Sequence, residues 1–155
     1  RTFVTLGVAG FLALSRRRAT AALVLAAVGG GTILSNTLKY LFDRPRPDIV
    51  PHAMEVYTQS FPSGHSMLSA VTWLTLGALL ARTEPRRRVK TYVIAMAMAT
   101  TLSVGVSRVY LGVHWPTDVL GGWTLGAAWA LFCWLVARWL QHRGRVEPDT
   151  PRPED

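Results

Sequence analysis

The chain has 155 residues, the size of one domain, and half of them are hydrophobic. Seventeen basic residues, fifteen of them arginine, face nine acidic ones for a formal charge of +8, which suits a nucleic acid, an acidic membrane surface or an anionic substrate. The single cysteine, Cys133, excludes an internal disulfide and a multi-cysteine metal cluster, and its apolar setting reads as a small buried hydrophobe.

The first apolar stretch, 2–14, has thirteen residues and is too short to span a bilayer alone. It reads as the tail of a helix, and a chain opening at Arg1 inside an apolar run reads as a fragment or processed form. Neither a basic leader region nor a clear cleavage site marks a signal peptide. The second stretch, 19–38, is twenty residues without a charge. The third covers 61–81, the fourth 91–107 and the fifth 119–137. A hydrocarbon core of ~30 Å needs ~20 helical residues, and stretches two to five fit that range. Helices of a soluble domain would carry a charge every turn or so on the wet face. These do not. The pattern predicts an all-α integral membrane bundle of about five helices over 1–145, with an acidic, Pro-rich, disordered tail at 146–155.

The loops set an orientation. Basic runs at 15–18, 82–90 and 138–145 fall on alternate connections and so share one side, which the positive-inside rule assigns to the cytoplasm. They read as topology signals, and no nucleic-acid partner is expected. Loops 39–60 and 108–118 then lie outside, with Tyr110 and Trp115 at the outer interface and Tyr92 and Trp139 at the inner one. Gly122 and Gly126, one helical turn apart, read as a close helix contact and not as a phosphate loop.

Topology leaves Lys39, Arg44, Arg46 and Arg108 unexplained, because cations are not expected on the outer side. Charged groups at a membrane boundary that serve no topology point to function. Cations converging on one point suit a dianionic phosphate, and each arginine offers a planar fork to two oxygens. His114 and Asp118 are four residues apart and share a face if the stretch is helical, although Pro116 interrupts it. A carboxylate on one ring nitrogen would leave the other free as a nucleophile. His65 follows Pro62, Ser63 and Gly64 at a helix start, where free N–H groups suit phosphate oxygens. His52, in a Pro-rich loop, and His142, in a basic tail, carry no such signal. Zinc held by His65, His114 and Asp118 is the rival use, but the surrounding cations would repel a second cation.

Taken together these residues resemble the type 2 phosphatidic acid phosphatase superfamily, the lipid phosphate phosphatases. Its three motifs are met in order: Lys39 with Arg46-Pro47; Pro62, Ser63, Gly64 and His65; and Ser107, Arg108, His114 and Asp118. The resemblance covers roughly 19–140. It implies the acid phosphatase/vanadium haloperoxidase-like helical core. It implies that Lys39, Arg46, Arg108, Ser63 and the Gly64 backbone bind phosphate, and that His114 attacks phosphorus to give a phosphohistidine. Asp118 would orient His114, and His65 would protonate the leaving oxygen and then activate water. No metal or other cofactor is needed on this reading, and Arg44 is at most an extra phosphate contact. Membrane members usually have six helices, so a first helix and part of a second would be missing.

The expected activity is hydrolysis of a lipid phosphate or diphosphate of the phosphatidic acid, phosphatidylglycerol phosphate or polyprenyl diphosphate class. The expected setting is a bacterial cytoplasmic membrane with the site on the extracytoplasmic face. A vanadate-dependent haloperoxidase would use the same anion pocket but is soluble, which the uncharged 19–38 stretch argues against. A transporter would place polar groups at the midplane, and a scaffold would have no use for both histidines. Selectivity for the lipid is expected to lie in the 48–60 loop and the missing N-terminal part.

Overall fold

Long runs of Ala, Leu, Val and Met with hydroxyl residues interspersed leave the backbone one way to satisfy its polar groups in an apolar surround, which is the helix. The computed structural model describes residues 2–16, 18–47 and 58–144. The 146–155 tail, His52 and most of the 48–60 loop lie outside the described residues. The described chain forms five helices: α1 (Thr2–Leu14), α2 (Arg18–Phe42), α3 (Gly64–Thr83), α4 (Arg87–Tyr110) and α5 (Pro116–His142). Helices α2 to α5 are each long and apolar enough to cross a membrane. Each of them runs past its apolar stretch into polar flanks, so Lys39, Arg108 and Asp118 all stand on terminal helical turns.

α3 is the axle of the bundle and packs against α2, α4 and α5. Small residues make that possible. A Cβ on Gly122 would stand 2.8 Å from the Ser63 carbonyl oxygen, and one on Gly126 would stand 2.8 Å from the Ala70 Cβ. The two glycines therefore set the α5–α3 approach, as their spacing predicts. Gly77 meets Ala97 of α4 in the same way, at 2.8 Å. Trp123 on α5 donates through Nε1 to the Thr101 carbonyl of α4 at 3.1 Å, and Trp129 donates to the Ala27 carbonyl of α2 at 2.8 Å. Hydroxyls on the helices return their protons to the preceding turn, as Thr101 does to Ala97 O at 2.8 Å. α1 turns back along α2, where Leu12 packs with Ala21, Val24 and the partly buried Leu76 and Leu79.

The ends of the bundle differ in character. At one end Arg82 donates to Gln141 at 2.5 Å, joining the basic termini of α3 and α5. At the other, the α2–α3 segment and the α4–α5 turn meet and carry the polar cluster.

Candidate active site

Four turns of chain build the cluster. α2 ends with Lys39 pointing inward, 9 % exposed, its Nζ donating to the Gln59 carbonyl at 2.5 Å. The segment after α2 is held by a backbone contact, with Ser60 N donating to Arg44 O at 2.8 Å. Arg46 then spreads its guanidinium over three partners: Nε donates to Thr58 O at 2.8 Å, Nη2 to Thr58 Oγ1 at 3.1 Å and Nη1 to Val113 O at 2.6 Å. The same Nη1 lies 3.3 Å from His114 Nε2. Burial draws the Arg46 pKa down from its ordinary value, against the opposing pull of Asp118.

His114 is 4 % exposed. Burial, then the charges of Arg46 and Lys39, push its pKa down to about 4, outweighing the nearby Asp118 carboxylate. The imidazole is therefore neutral at neutral pH. Asp118 is fully buried and forms the hub of the cluster. Its Oδ1 accepts from Arg44 Nη1 at 2.8 Å, while Oδ2 accepts from Trp115 N at 2.9 Å and from Ser60 Oγ in a short hydrogen bond. His114 Nδ1 lies 3.6 Å from Asp118 Oδ2 and 3.4 Å from Ser60 Oγ.

Pro116 explains how the pair meets. It occupies the first helical position, where its missing N–H costs nothing, so α5 begins after His114. His114 and Asp118 do not share a helix face. They approach because the turn before α5 folds back, with Asp118 capping the Trp115 N–H.

Ser63 and Gly64 abut the same cluster. Ser63 is fully buried and caps α3, its Oγ 3.4 Å from the Ser66 N–H, while its own N–H donates to Asp118 O at 3.0 Å. A Cβ on Gly64 would stand 3.6 Å from Lys39 Cε, so the bare backbone permits that approach. His65 follows in the first turn of α3 and is exposed. Arg108 is half-buried in the last turn of α4, and its carbonyl accepts from Val113 N at 3.3 Å. Its Nε is buried and has no hydrogen-bond partner among the described residues. Among the described residues, no group of three or more His, Cys, Asp or Glu side chains is placed to hold a metal.

Two residues take parts that their position in the sequence does not signal. Arg44, at most an extra phosphate contact on the sequence reading, grips Asp118 and Thr117 Oγ1, both at 2.8 Å. Ser60 lies outside the three motifs, and nothing in the sequence singles it out from the other serines. A separate apolar cavity of about 330 Å³ lies between α2, α3 and α5, with Leu23, Leu74 and Trp134 in its lining. It shares no residue with the cluster and reaches Arg82 and Gln141, at the opposite end.

A bundle of helices long enough to cross a membrane, with Lys39 buried and Arg46 half-buried beside the His114 imidazole at one end, defines an integral membrane protein. Residues 20–142 match the PAP2 superfamily, and the chain belongs to that family. It is 42 % identical over 107 residues to phosphatidylglycerophosphatase B of Bacillus subtilis, covering 67 % of this chain and 51 % of that protein. It is 40 % identical over 73 residues to undecaprenyl-diphosphatase of Sulfolobus acidocaldarius, covering 47 % of this chain and 31 % of that protein. The chain thus spans about half the length or less of these curated relatives. The crystal structure of the transmembrane PAP2-type phosphatidylglycerolphosphate phosphatase of Bacillus subtilis superposes with a TM-score of 0.81 at 32 % identity, covering 88 % of this chain and 68 % of that one.

Proposed function

We propose that this protein is a membrane phosphatase that hydrolyses a lipid phosphate or diphosphate through a phosphohistidine at His114. The observation that carries the reading is the meeting of Lys39, Arg46 and His114, 75 residues apart at the extremes (114 − 39), around one neutral imidazole. A nucleophilic imidazole must be unprotonated, and burial among cations keeps it so. The same cations hold the negative phosphoryl oxygens and the charge that develops on them, so electrostatics supplies most of the catalysis. Arg108 brings a buried guanidinium donor with no partner among the described residues, a position that a phosphoryl oxygen would satisfy.

The steps follow. His114 Nε2 attacks phosphorus as the bond to the leaving oxygen breaks. His65 donates a proton to that oxygen, takes one from water, and the hydroxide so formed displaces His114 to release phosphate. Ser63 and the Gly64 backbone bind at the N-terminus of α3, where helix N–H groups favour anions. Residues 1–145 work as one membrane domain. The names of the relatives support a lipid substrate, since they carry a phosphorylated glycerolipid and a polyprenyl diphosphate. A site at the end of membrane-long helices lets the lipid tail stay in the bilayer while the head group reaches the cations. The basic loops favour a bacterial cytoplasmic membrane with this site on the extracytoplasmic face.

The test is phosphate release from phosphatidic acid, phosphatidylglycerol phosphate and polyprenyl diphosphate by the purified protein. His114→Ala and His65→Ala should each abolish it. Near-normal turnover of either variant would overturn the assignment of roles.

A further inference from the structure

The lipid phosphatase reading leaves open what fixes the tautomer of the nucleophile. We propose, resting on that reading, that Ser60 is a positioning residue whose hydroxyl bridges His114 Nδ1 and Asp118 Oδ2 and so turns the unprotonated Nε2 toward phosphorus.

The argument is one of donors and acceptors. Arg46 Nη1 can only donate, and it lies 3.3 Å from His114 Nε2, so Nε2 presents its lone pair. In a neutral imidazole the proton then sits on Nδ1. Nδ1 faces Ser60 Oγ at 3.4 Å and Asp118 Oδ2 at 3.6 Å, so the hydroxyl is the nearer of its two acceptors. Ser60 Oγ commits its one proton to Asp118 Oδ2, which leaves its lone pairs for the Nδ1–H. The order is therefore Nδ1–H to Ser60 Oγ, and Ser60 O–H to the carboxylate. Asp118 is occupied on its other sides by Arg44 and by the Trp115 N–H. Ser60 is fully buried, so bulk water does not compete for the bridge. Its own N–H is tied to Arg44 O at 2.8 Å, which anchors the backbone that carries the hydroxyl.

The bridge matters most during attack. As Nε2 bonds to phosphorus the ring becomes cationic, and the Nδ1–H hydrogen bond gains strength. Ser60 passes that stabilisation to the carboxylate without any proton changing hands.

The test compares Ser60→Ala and Ser60→Thr in the purified intact protein, with phosphatidic acid as substrate and nitrogen NMR shifts of His114 as a readout independent of turnover. Loss of a hydrogen bond to a cationic group predicts a fall in kcat of about 10- to 100-fold for Ser60→Ala. KM should stay within about twofold, because the bridge does not touch substrate. Ser60→Thr, which keeps the hydroxyl, should recover to within about tenfold of wild type. Wild-type shifts should show Nε2 unprotonated, and Ser60→Ala should show mixed tautomers. A Ser60→Ala enzyme with kcat within twofold of wild type, or one changed only in KM, would overturn the proposal. So would a Ser60→Thr enzyme as inactive as Ser60→Ala with wild-type His114 shifts in both. If the wild type releases no phosphate from phosphatidic acid, phosphatidylglycerol phosphate or polyprenyl diphosphate, the phosphatase reading fails, and the wild-type spectrum alone decides Ser60: a protonated Nε2 overturns it. The same spectrum decides if Ser60→Ala does not fold.

Discussion

Adding one methyl group at Gly122 should disturb both the packing of the bundle and the site. The Cβ of Gly122→Ala would meet the Ser63 carbonyl oxygen at 2.8 Å, the Ser66 Cβ at 2.9 Å and the Met67 N at 3.0 Å. Two of these are backbone atoms, one of the α3 N-cap and one of its first turn, and the third is the root of a buried side chain, so none can swing aside. α5 must move away from α3. Overpacking of this kind costs about 1–3 kcal/mol. The movement falls where Ser63 N bonds to Asp118 O at 3.0 Å, so it separates the turn bearing Gly64 and His65 from the turn bearing His114. Gly29 is the internal control: it is also helical, but a Cβ there meets nothing within 4 Å. Helix propensity alone then favours Gly29→Ala by up to about 1 kcal/mol. Thermal unfolding of both variants in detergent, followed by tryptophan fluorescence, with phosphate release from phosphatidic acid alongside, would compare them. Gly122→Ala should melt lower and lose most activity, while Gly29→Ala should melt at or above wild type and keep it. Equal melting and activity for the two would refute the idea that the glycines set the α3–α5 approach and with it the site.

Arg108→Met should abolish turnover without lowering the melting temperature, because Arg108 Nε has no partner among the described residues to lose; a marked drop in melting temperature would show a structural role. Arg44→Ala should destabilise the fold by about 1–3 kcal/mol, less than for a fully buried pair because the Arg44 side chain is 39 % exposed, and a denaturant titration with unchanged midpoint would contradict this. The acid limb of kcat/KM should lie well below 6.5, since the His114 pKa is pushed down to about 4 and the neutral ring is the nucleophile; a limb near 6.5 would contradict its burial among cations. The unfolded chain takes up that proton first, so the contribution of His114 to stability is lost as pH falls from about 6.5 toward 4, which melting curves across that window would register.

Much of this was legible in the sequence for physical reasons. Charge-free runs of bilayer length located α2 to α5, and the 2–14 stretch coincides with α1. Gly122 and Gly126 announced a close helix crossing by their spacing alone. The helix ends were harder, because Lys39, Arg108 and Asp118 are polar, and a hydropathy reading stops before them although the backbone does not. In the sequence Pro116 looks like an interruption, whereas its fixed φ starts α5 and places His114 in the preceding turn. The parts of Arg44 and Ser60 were not legible. Arg44 and Asp118 are 74 residues apart, Ser60 and Asp118 are 58 apart, and no local pattern encodes which donors a buried carboxylate will gather. That depends on the tertiary meeting of the α2–α3 segment with the α4–α5 turn.

The most direct test of the account is to quench the protein during turnover of a radiolabelled lipid phosphate under alkaline conditions and locate the label. Phosphate bound covalently to His114, and absent in His114→Ala, is the predicted result. Label on another residue, or turnover by His114→Ala without any covalent phosphate, would contradict it.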